Sequence, residues 1–249
     1  MASGVQGRPL VPAQPPLPII RRVYGFGSVF AKTIRDSRRA TLLVGGLLGL
    51  ILIGVSRAIV SEFSTPESRQ EIGNIVRAVP PILQGLGGKP VNVETLGGYL
   101  SYKYGTFFPL IASLWSILAL SGTLAGEARR GSLEFVAAAP LTRRRIALQK
   151  LSGHVVVVVI ASTLIFLSLI VAGSFAVLPG DEITVQAAAG YAIWLGLMAL
   201  VAGSVAFAIA QFFGRGAAIG IAGALMFGGF ILNGYSLAIP ELAPFANLT

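Results

Sequence analysis

The sequence predicts an all-α integral membrane protein, in which one amphipathic interfacial helix precedes five transmembrane helices. Of its 249 residues, 54% are hydrophobic and only 12% are charged, whereas soluble domains carry about 25% charged residues. The mean hydropathy is +0.79. The apolar residues form separate runs, each near the ~20 residues with which an α-helix crosses a ~30 Å hydrocarbon core.

The N-terminal segment has two parts. Residues 1–18 are Pro-rich and lack the apolar core of a signal peptide, so we expect a disordered cytosolic tail. In residues 19–39, apolar side chains recur at helical spacing among basic residues, which predicts an amphipathic helix in the lipid headgroup layer. Nucleic-acid binding would also suit the net charge of +9. Because the helix leads directly into a membrane span, we expect membrane lipid and no nucleic acid as its partner.

The transmembrane domain is expected over residues 40–249. Five apolar runs predict its spans, at about residues 40–60, 105–126, 154–178, 185–213 and 217–237. The fourth run is longer than a bilayer requires, so its helix must tilt, bend or emerge. Between the first two spans, Thr65 and Pro66 predict a helix start, and we expect a second start at Asn92.

Two sets of small residues predict close helix packing. Gly45 and Gly49 form a GxxxG pair in the first span, which suits packing inside the subunit and packing at a dimer interface equally well. In the last span small residues recur at every fourth position, as Gly216, Gly220, Ala224 and Gly228.

The charges predict the orientation in the membrane. Residues 1–39, the loop at residues 127–150 and Arg215 together hold 14 of the 19 Lys and Arg residues, with only three acidic residues. Short loops rich in Lys and Arg stay in the cytosol. We therefore expect a multi-pass protein of the plasma (inner) membrane with a cytosolic N-terminus.

Catalysis, metal binding and ion-driven transport are not indicated. The chain has no cysteine and one histidine, and Gly87-Gly88-Lys89 lacks the remaining residues of a Walker A loop. We expect His154 to be an interfacial side chain rather than a proton relay, and Asn233 to serve packing or capping rather than cargo binding. Ionisable groups buried in spans mark ion pathways, and the sequence suggests none. We therefore expect no enzyme activity, no metal and no cofactor in this chain.

The loop at residues 127–150 is itself expected to form a helix–Pro–helix elbow. Good helix formers extend to Ala138, Pro140 ends that helix, and Thr142 can cap a second helix that continues into the third span. The loop's arginines could simply fix topology and contact anionic lipid. Alternatively, a cytosolic partner binds it.

The elbow motif resembles the cytoplasmic loop of type-2 ABC transporter permeases. The resemblance rests on Gly126-Glu-x-x-x-Gly-Ser-Leu-Glu, followed by Pro140-Leu-Thr-Arg and Lys150. The stretch 93–233 is also similar to one half of the long permeases of the polyketide-antibiotic exporter group. That similarity is carried by Val93-Glu-Thr-Leu-Gly-Gly-Tyr-Leu-Ser, Leu178-Pro-Gly-Asp-Glu-Ile and Asn233-Gly-Tyr.

The resemblance implies a permease subunit of an ABC exporter that moves a hydrophobic small molecule, as in antibiotic efflux. A separate ATPase subunit, as a dimer, would bind the ATP and Mg and dock on the elbow. The residues expected to couple to it are Glu127, Arg129, Arg130, Leu133, Glu134, Phe135, Pro140, Leu141, Thr142 and Arg143. The family repeat has six spans, so the resemblance also implies a sixth span beyond Thr249 and a second permease half or copy. The alternative is a non-transporting membrane anchor or sensor that recruits a cytosolic partner.

Overall fold

A computed structural model describes residues 28–87, 90–122, 142–236 and 239–242. Throughout these ranges the ordered elements are helices, and no strand occurs among them. Three helices are long and apolar enough to cross a membrane, or four if one bent pair is counted as a single span. The prediction of an all-α membrane protein is therefore confirmed at this level.

The first membrane helix is continuous from Val29 to Glu62. It consists of α1 (Val29–Thr41), a π-helical segment (Leu42–Leu47) and α2 (Leu48–Glu62). Ser28 begins it, because its backbone is extended and its Oγ accepts the Ala31 N–H at 3.1 Å. The described part of the predicted amphipathic helix thus runs without a break into the first span, and residues 19–27 lie outside the described ranges.

Three short helices form the polar segment between the first two membrane helices. They are α3 (Pro66–Ala78), α4 (Pro81–Gly87) and α5 (Leu96–Tyr104). Thr65 starts α3 as predicted, in a capping box with Ser68. The start predicted at Asn92 is wrong by three residues, because Thr95 caps α5. Asn92 instead has φ 49° and its carbonyl accepts the Thr95 N–H, so it belongs to the preceding turn.

Two apolar helices precede and follow residues 123–141. Helix α6 (Phe107–Ser121) continues from α5 across a 42° bend. Helix α7 (Arg143–Gly173) has 31 residues, or about 46 Å at 1.5 Å per residue. Because α7 is longer than the ~30 Å hydrocarbon core, part of it must project beyond the apolar layer.

The last membrane element, α8 (Val185–Tyr235), folds back on itself at Gly214. Gly214 has φ 81° and ψ 176°, which are not helical values, and a positive φ is a conformation that glycine adopts readily. Met198 and Met226 would lie about 42 Å apart on a straight helix, yet both line one cavity. Residues 185–213 (α8a) and 215–235 (α8b) are therefore antiparallel.

The first membrane helix runs parallel to α7. At its start, the Val29 N–H donates to Gln149 Oε1 at 3.1 Å. Further along, Gly45 lies so close to Ala161 that a Cβ on the glycine would be 2.8 Å from the Ala161 Cα. Residue numbers increase together along the two helices, so both helices point the same way.

Helix α6 packs against both halves of α8. Gly203 of α8a approaches Ser116 so closely that a Cβ would clash with its hydroxyl. Ile117 shares an apolar cluster with Ala202 of α8a and Ala222 of α8b. These small residues let three helices approach each other closely.

The bundle has two distinct ends. The end at which α6 finishes, at Ser121, and α7 begins, at Arg143, is called the elbow end. Arg215 also lies at this end, because a Cβ on Gly122 would be 3.6 Å from its guanidinium. We name the turn end after residues 174–184, which connect α7 to α8. Helices α3, α4 and α5 lie at the turn end.

Replacing Gly45 with alanine should destabilise the protein, whereas the same change at Gly46 should not. The Gly45 methyl would lie 2.9 Å from the Ala161 carbonyl oxygen, and the Gly46 methyl would meet no atom within 4 Å. Alanine favours a helix by about 1 kcal/mol over glycine at both positions, so only the packing differs. Thermal unfolding in detergent should give a lower Tm for Gly45→Ala and an equal or higher Tm for Gly46→Ala. Equal Tm values for the two variants would contradict the close approach of the first helix to α7.

Candidate functional site

Most of the coupling residues expected from the sequence lie outside the described part of the chain. These are Glu127, Arg129, Arg130, Leu133, Glu134, Phe135, Pro140 and Leu141. Thr142 and Arg143 are described, and Thr142 Oγ1 accepts the Arg145 N–H at 3.3 Å. Helix α7 therefore has a capped start inside the loop at residues 127–150.

The first turns of α7 have a buried face and an exposed face. Ile146 and Lys150 are only 5% exposed, while Arg144 and Leu148 are exposed. The helix continues without interruption through the candidate span Arg144–Gly173. Its backbone hydrogen bonds make it a stiff rod, so a displacement of the first turn is transmitted to the apolar part.

A buried hydrogen bond joins α6 to α7 near the elbow. Ser116 Oγ and His154 Nε2 are 2.7 Å apart, and both side chains are at most 1% exposed. The Trp115 ring lies 5.4 Å from the His154 ring, tilted by 51°. The expectation of an interfacial His154 is wrong, because helix packing removes this ring from the surface. The two helices that the loop connects are thus linked directly.

Two ionisable groups are buried in the candidate span of α7. Lys150 and His154 lie four residues apart, on one face of the helix, and both are shielded from solvent. The sequence-based expectation of spans without buried ionisable groups is therefore wrong. Hydropathy alone missed them because each residue sits near the edge of a strongly apolar run.

At the turn end, a buried ion pair connects distant segments. Arg69 Nη2 lies 2.9 Å from Asp181 Oδ2, and the side chains are 3% and 2% exposed. Asp181 Oδ1 also accepts the Leu96 N–H at 2.8 Å, and Arg69 Nε donates to the Phe63 carbonyl. We call this arrangement the Asp181 clamp. It holds α3, the start of α5 and the turn before α8 together.

The turn that carries Asp181 is determined by local sequence. In Leu178-Pro-Gly-Asp181, the Asp181 N–H donates to the Leu178 carbonyl at 3.1 Å, and Gly180 has φ 87°. Proline at the second position and a positive-φ glycine at the third are the residues that a type II turn requires. Sequence analysis identified this tight turn, but it missed Arg69 as the partner, 112 residues away.

The two predicted sets of packing residues lie in different surroundings. Gly45 and Gly49 both face α7, and a Cβ on Gly49 would clash with the Ser168 hydroxyl. The set in the last span faces away from the rest of the described subunit. A Cβ on Gly216, Gly220 or Gly228 would meet no atom within 4 Å, and Ala224 is exposed.

Asn233 lines a cavity between α6 and the two halves of α8. The cavity has a volume of about 490 Å³, and its walls are mostly apolar, with Thr106 and Asn233 among the few polar groups. Small residues such as Ala202 and Gly229 help to leave this space open. Over the described ranges, no three His, Asp or Glu side chains are grouped so that they could hold a metal ion.

Comparisons of the chain with protein-family models, with curated proteins and with solved structures gave no match. The similarity to type-2 ABC permeases therefore rests on the sequence motifs alone.

Replacing Asp181 with asparagine should destabilise the fold far more than replacing Glu94 with glutamine. Both changes remove the carboxylate of an ion pair and keep its approximate shape. Asp181→Asn leaves the Arg69 charge buried, which typically costs about 3–5 kcal/mol. The Arg77–Glu94 pair is 44% and 34% exposed, and such pairs contribute at most about 1 kcal/mol.

Chemical or thermal unfolding of both purified variants checks this difference. If Asp181→Asn unfolds at the same denaturant concentration as Glu94→Gln, the Asp181 clamp is not a major source of stability.

Proposed function

We propose that this chain is the membrane-spanning permease subunit of an ABC exporter, which moves a hydrophobic small molecule out of the cell with ATP hydrolysed by a separate subunit. One observation supports this most: α7 begins inside the loop, where the Thr142 side chain caps it, and continues through a candidate span. A protein that binds the loop would thereby control the position of a membrane helix. The loop motif that resembles a coupling loop supplies the identity of that protein, an ABC ATPase.

The loop would move α6 and α7 together. In this proposal the ATPase must displace more than one helix, because movement of a single helix would open little space for a transported molecule. The Ser116–His154 hydrogen bond links the two helices close to the loop. This link supports a concerted displacement of the elbow end.

Five crossings of the bilayer are part of this proposal. Helix α8 has 51 residues, about 76 Å of helix, which is more than twice the ~30 Å hydrocarbon core. Its reversal at Gly214 gives two antiparallel halves, each of which is long enough for one crossing. With the first helix, α7 and the bent α5–α6 pair, this gives five.

The elbow end would face the cytosol. It carries the basic loop, the N-terminal basic helix and Arg215, and positively charged segments remain on the cytosolic side. The turn end, with Glu67, Glu71 and Asp181, would lie outside the plasma membrane.

Single cysteines test this orientation directly, because the chain has none. In intact cells, a membrane-impermeant maleimide should label Ser64→Cys, which is exposed at the turn end. It should label Ser132→Cys only after the cells are permeabilised. Labelling of Ser132→Cys in intact cells would contradict the proposed orientation.

In the loop, we propose that Leu133, Phe135 and Leu141 enter an ATPase cleft. Arg129, Arg130 and Arg143 would orient the contact at its rim. Apolar anchors at the centre of an interface usually contribute far more binding energy than charges at its edge.

The change Leu133→Asp should therefore abolish recovery of the ATPase with the tagged chain. Loss of a central anchor typically costs about 2 kcal/mol or more. The control is Arg144→Gln, an exposed position at the start of α7, which should leave recovery near the wild-type level. Both variants should insert into the membrane normally, as shown by their yield in the membrane fraction.

Two outcomes would contradict the proposal. If Leu133→Asp recovers the ATPase at the wild-type level, the loop is not the docking element. If the wild-type chain recovers a different cytosolic protein and no ATPase, the anchor or sensor function applies instead.

A further inference from the structure

We propose that a cavity at the turn end binds an amphipathic organic cation, in which an apolar body carries one positive charge. The cavity has a volume of about 380 Å³ and lies between α2, α5, α7 and the start of α8. This volume is within the range of small-molecule sites, about 300–1,000 Å³. The proposal goes beyond the exporter function and does not depend on an ATPase.

The cavity has an apolar inner part and a polar entrance. Leu52, Leu100 and Leu169 line the inner part, and each of them is at most 6% exposed. Glu182 and Thr184 also line the cavity, but both are exposed to solvent. A ligand would therefore place its apolar body among the leucines and its charged group near the surface.

The charge at the entrance of the cavity determines whether a positively or a negatively charged ligand is favoured. Glu182 is the charged side chain among the described residues that line the cavity. The nearby Arg69 is committed to its buried pair with Asp181, so it does not neutralise Glu182. The start of α8 contributes only about half a positive charge, and its Ala187 N–H is already bonded to Thr184 Oγ1. Among the side chains that line the cavity, Glu182 thus provides a negative charge that favours a cation at the entrance.

Two tyrosines strengthen this preference. Tyr104 and Tyr191 both line the cavity, and the Tyr191 hydroxyl donates to the Tyr104 carbonyl at 3.1 Å. Aromatic faces attract organic cations through the ring quadrupole. The hydrogen bond fixes one ring to the neighbouring helix, so this part of the wall is already ordered without a ligand.

The Asp181 clamp holds both sides of the entrance in place. Asp181 directly precedes Glu182, and its carboxylate binds the Leu96 N–H that begins α5. Helix α5 provides Leu100 and Tyr104 to the opposite wall. A site whose walls are fixed before binding loses less free energy in ordering them.

The test uses two probes of nearly the same shape and opposite charge, tetraphenylphosphonium and tetraphenylborate. Their binding to the full chain in dodecyl maltoside is measured by equilibrium dialysis. We expect saturable binding of the phosphonium at one site, and Glu182→Gln should weaken it about tenfold or more. Glu182→Gln should not weaken binding of the borate.

The matched control is Glu71→Gln, which removes an exposed carboxylate from α3 at the same end of the molecule. It should leave phosphonium binding unchanged, because Glu71 does not line the cavity. The proposal is overturned if the wild type shows no saturable phosphonium binding or if Glu182→Gln binds it as tightly as wild type. It is also overturned if Glu182→Gln weakens both probes equally, since that would indicate distortion rather than lost charge.

A lipid ammonium group could supply the same chemistry as a dissolved cation. Repeating the measurement in phosphatidylglycerol nanodiscs, with and without phosphatidylethanolamine, distinguishes these sources. If the ethanolamine lipid competes with the phosphonium, the natural cation is a lipid headgroup. If it does not compete, the cation is a dissolved molecule. A failure of this experiment leaves the exporter proposal untouched, because the ATPase binds at the opposite end.

Discussion

The carboxylate of Asp181 is the interaction on which the turn end of the structure depends. A buried charge is costly unless it is paired and fully hydrogen-bonded, and Asp181 satisfies this condition with Arg69 and the Leu96 N–H. The segment between residues 63 and 106 contains only short helices, which have little stability by themselves. The clamp holds this segment against the membrane helices, and it also positions Glu182 and the wall of the 380 Å³ cavity.

The two ends of the bundle are held together with different strengths. At the turn end, moving α3 away from the turn before α8 would break the buried ion pair between Arg69 and Asp181. At the elbow end, one polar link between α6 and α7 is the Ser116–His154 hydrogen bond, and single hydrogen bonds typically contribute about 0.5–1.5 kcal/mol. Of these two described links, the ion pair at the turn end is the more costly to break. The proposal that force enters through the loop places the first rearrangement at the elbow end, away from the Asp181 clamp.

Local chemistry made much of the fold predictable from the sequence. The hydroxyl of Thr65 begins a helix where the sequence indicated, and the apolar runs predicted membrane helices. The remaining features depend on which side of a helix meets which neighbour. Small residues recur every four positions on two faces of α8b, and the structure packs the face of Ala218 and Ala222 rather than the face of Gly216 and Gly220.

The sequence also did not predict which polar side chains, far apart in the chain, contact each other in the fold. Asp181 was recognisable as part of a turn, but nothing in a single sequence pairs it with an arginine 112 residues earlier. His154 was misplaced for the same reason, because its burial is created by α6. The coupling role predicted for residues between 127 and 141 rests on motif resemblance alone, since these residues lie outside the described ranges.

The central proposal is that nucleotide binding by an ATPase docked on the loop rearranges the elbow end, and distance measurements between pairs of spin labels test it most directly. Spin labels at Ser152 of α7 and Gln211 of α8a, both exposed, report on the elbow end. Labels at Glu67 and Gln186 report on the turn end. In the complex with its ATPase, addition of ATP should shift the distance distribution of the elbow-end pair more than that of the turn-end pair. An elbow-end distribution that is identical with and without ATP, in a complex that is hydrolysing it, would contradict the claim.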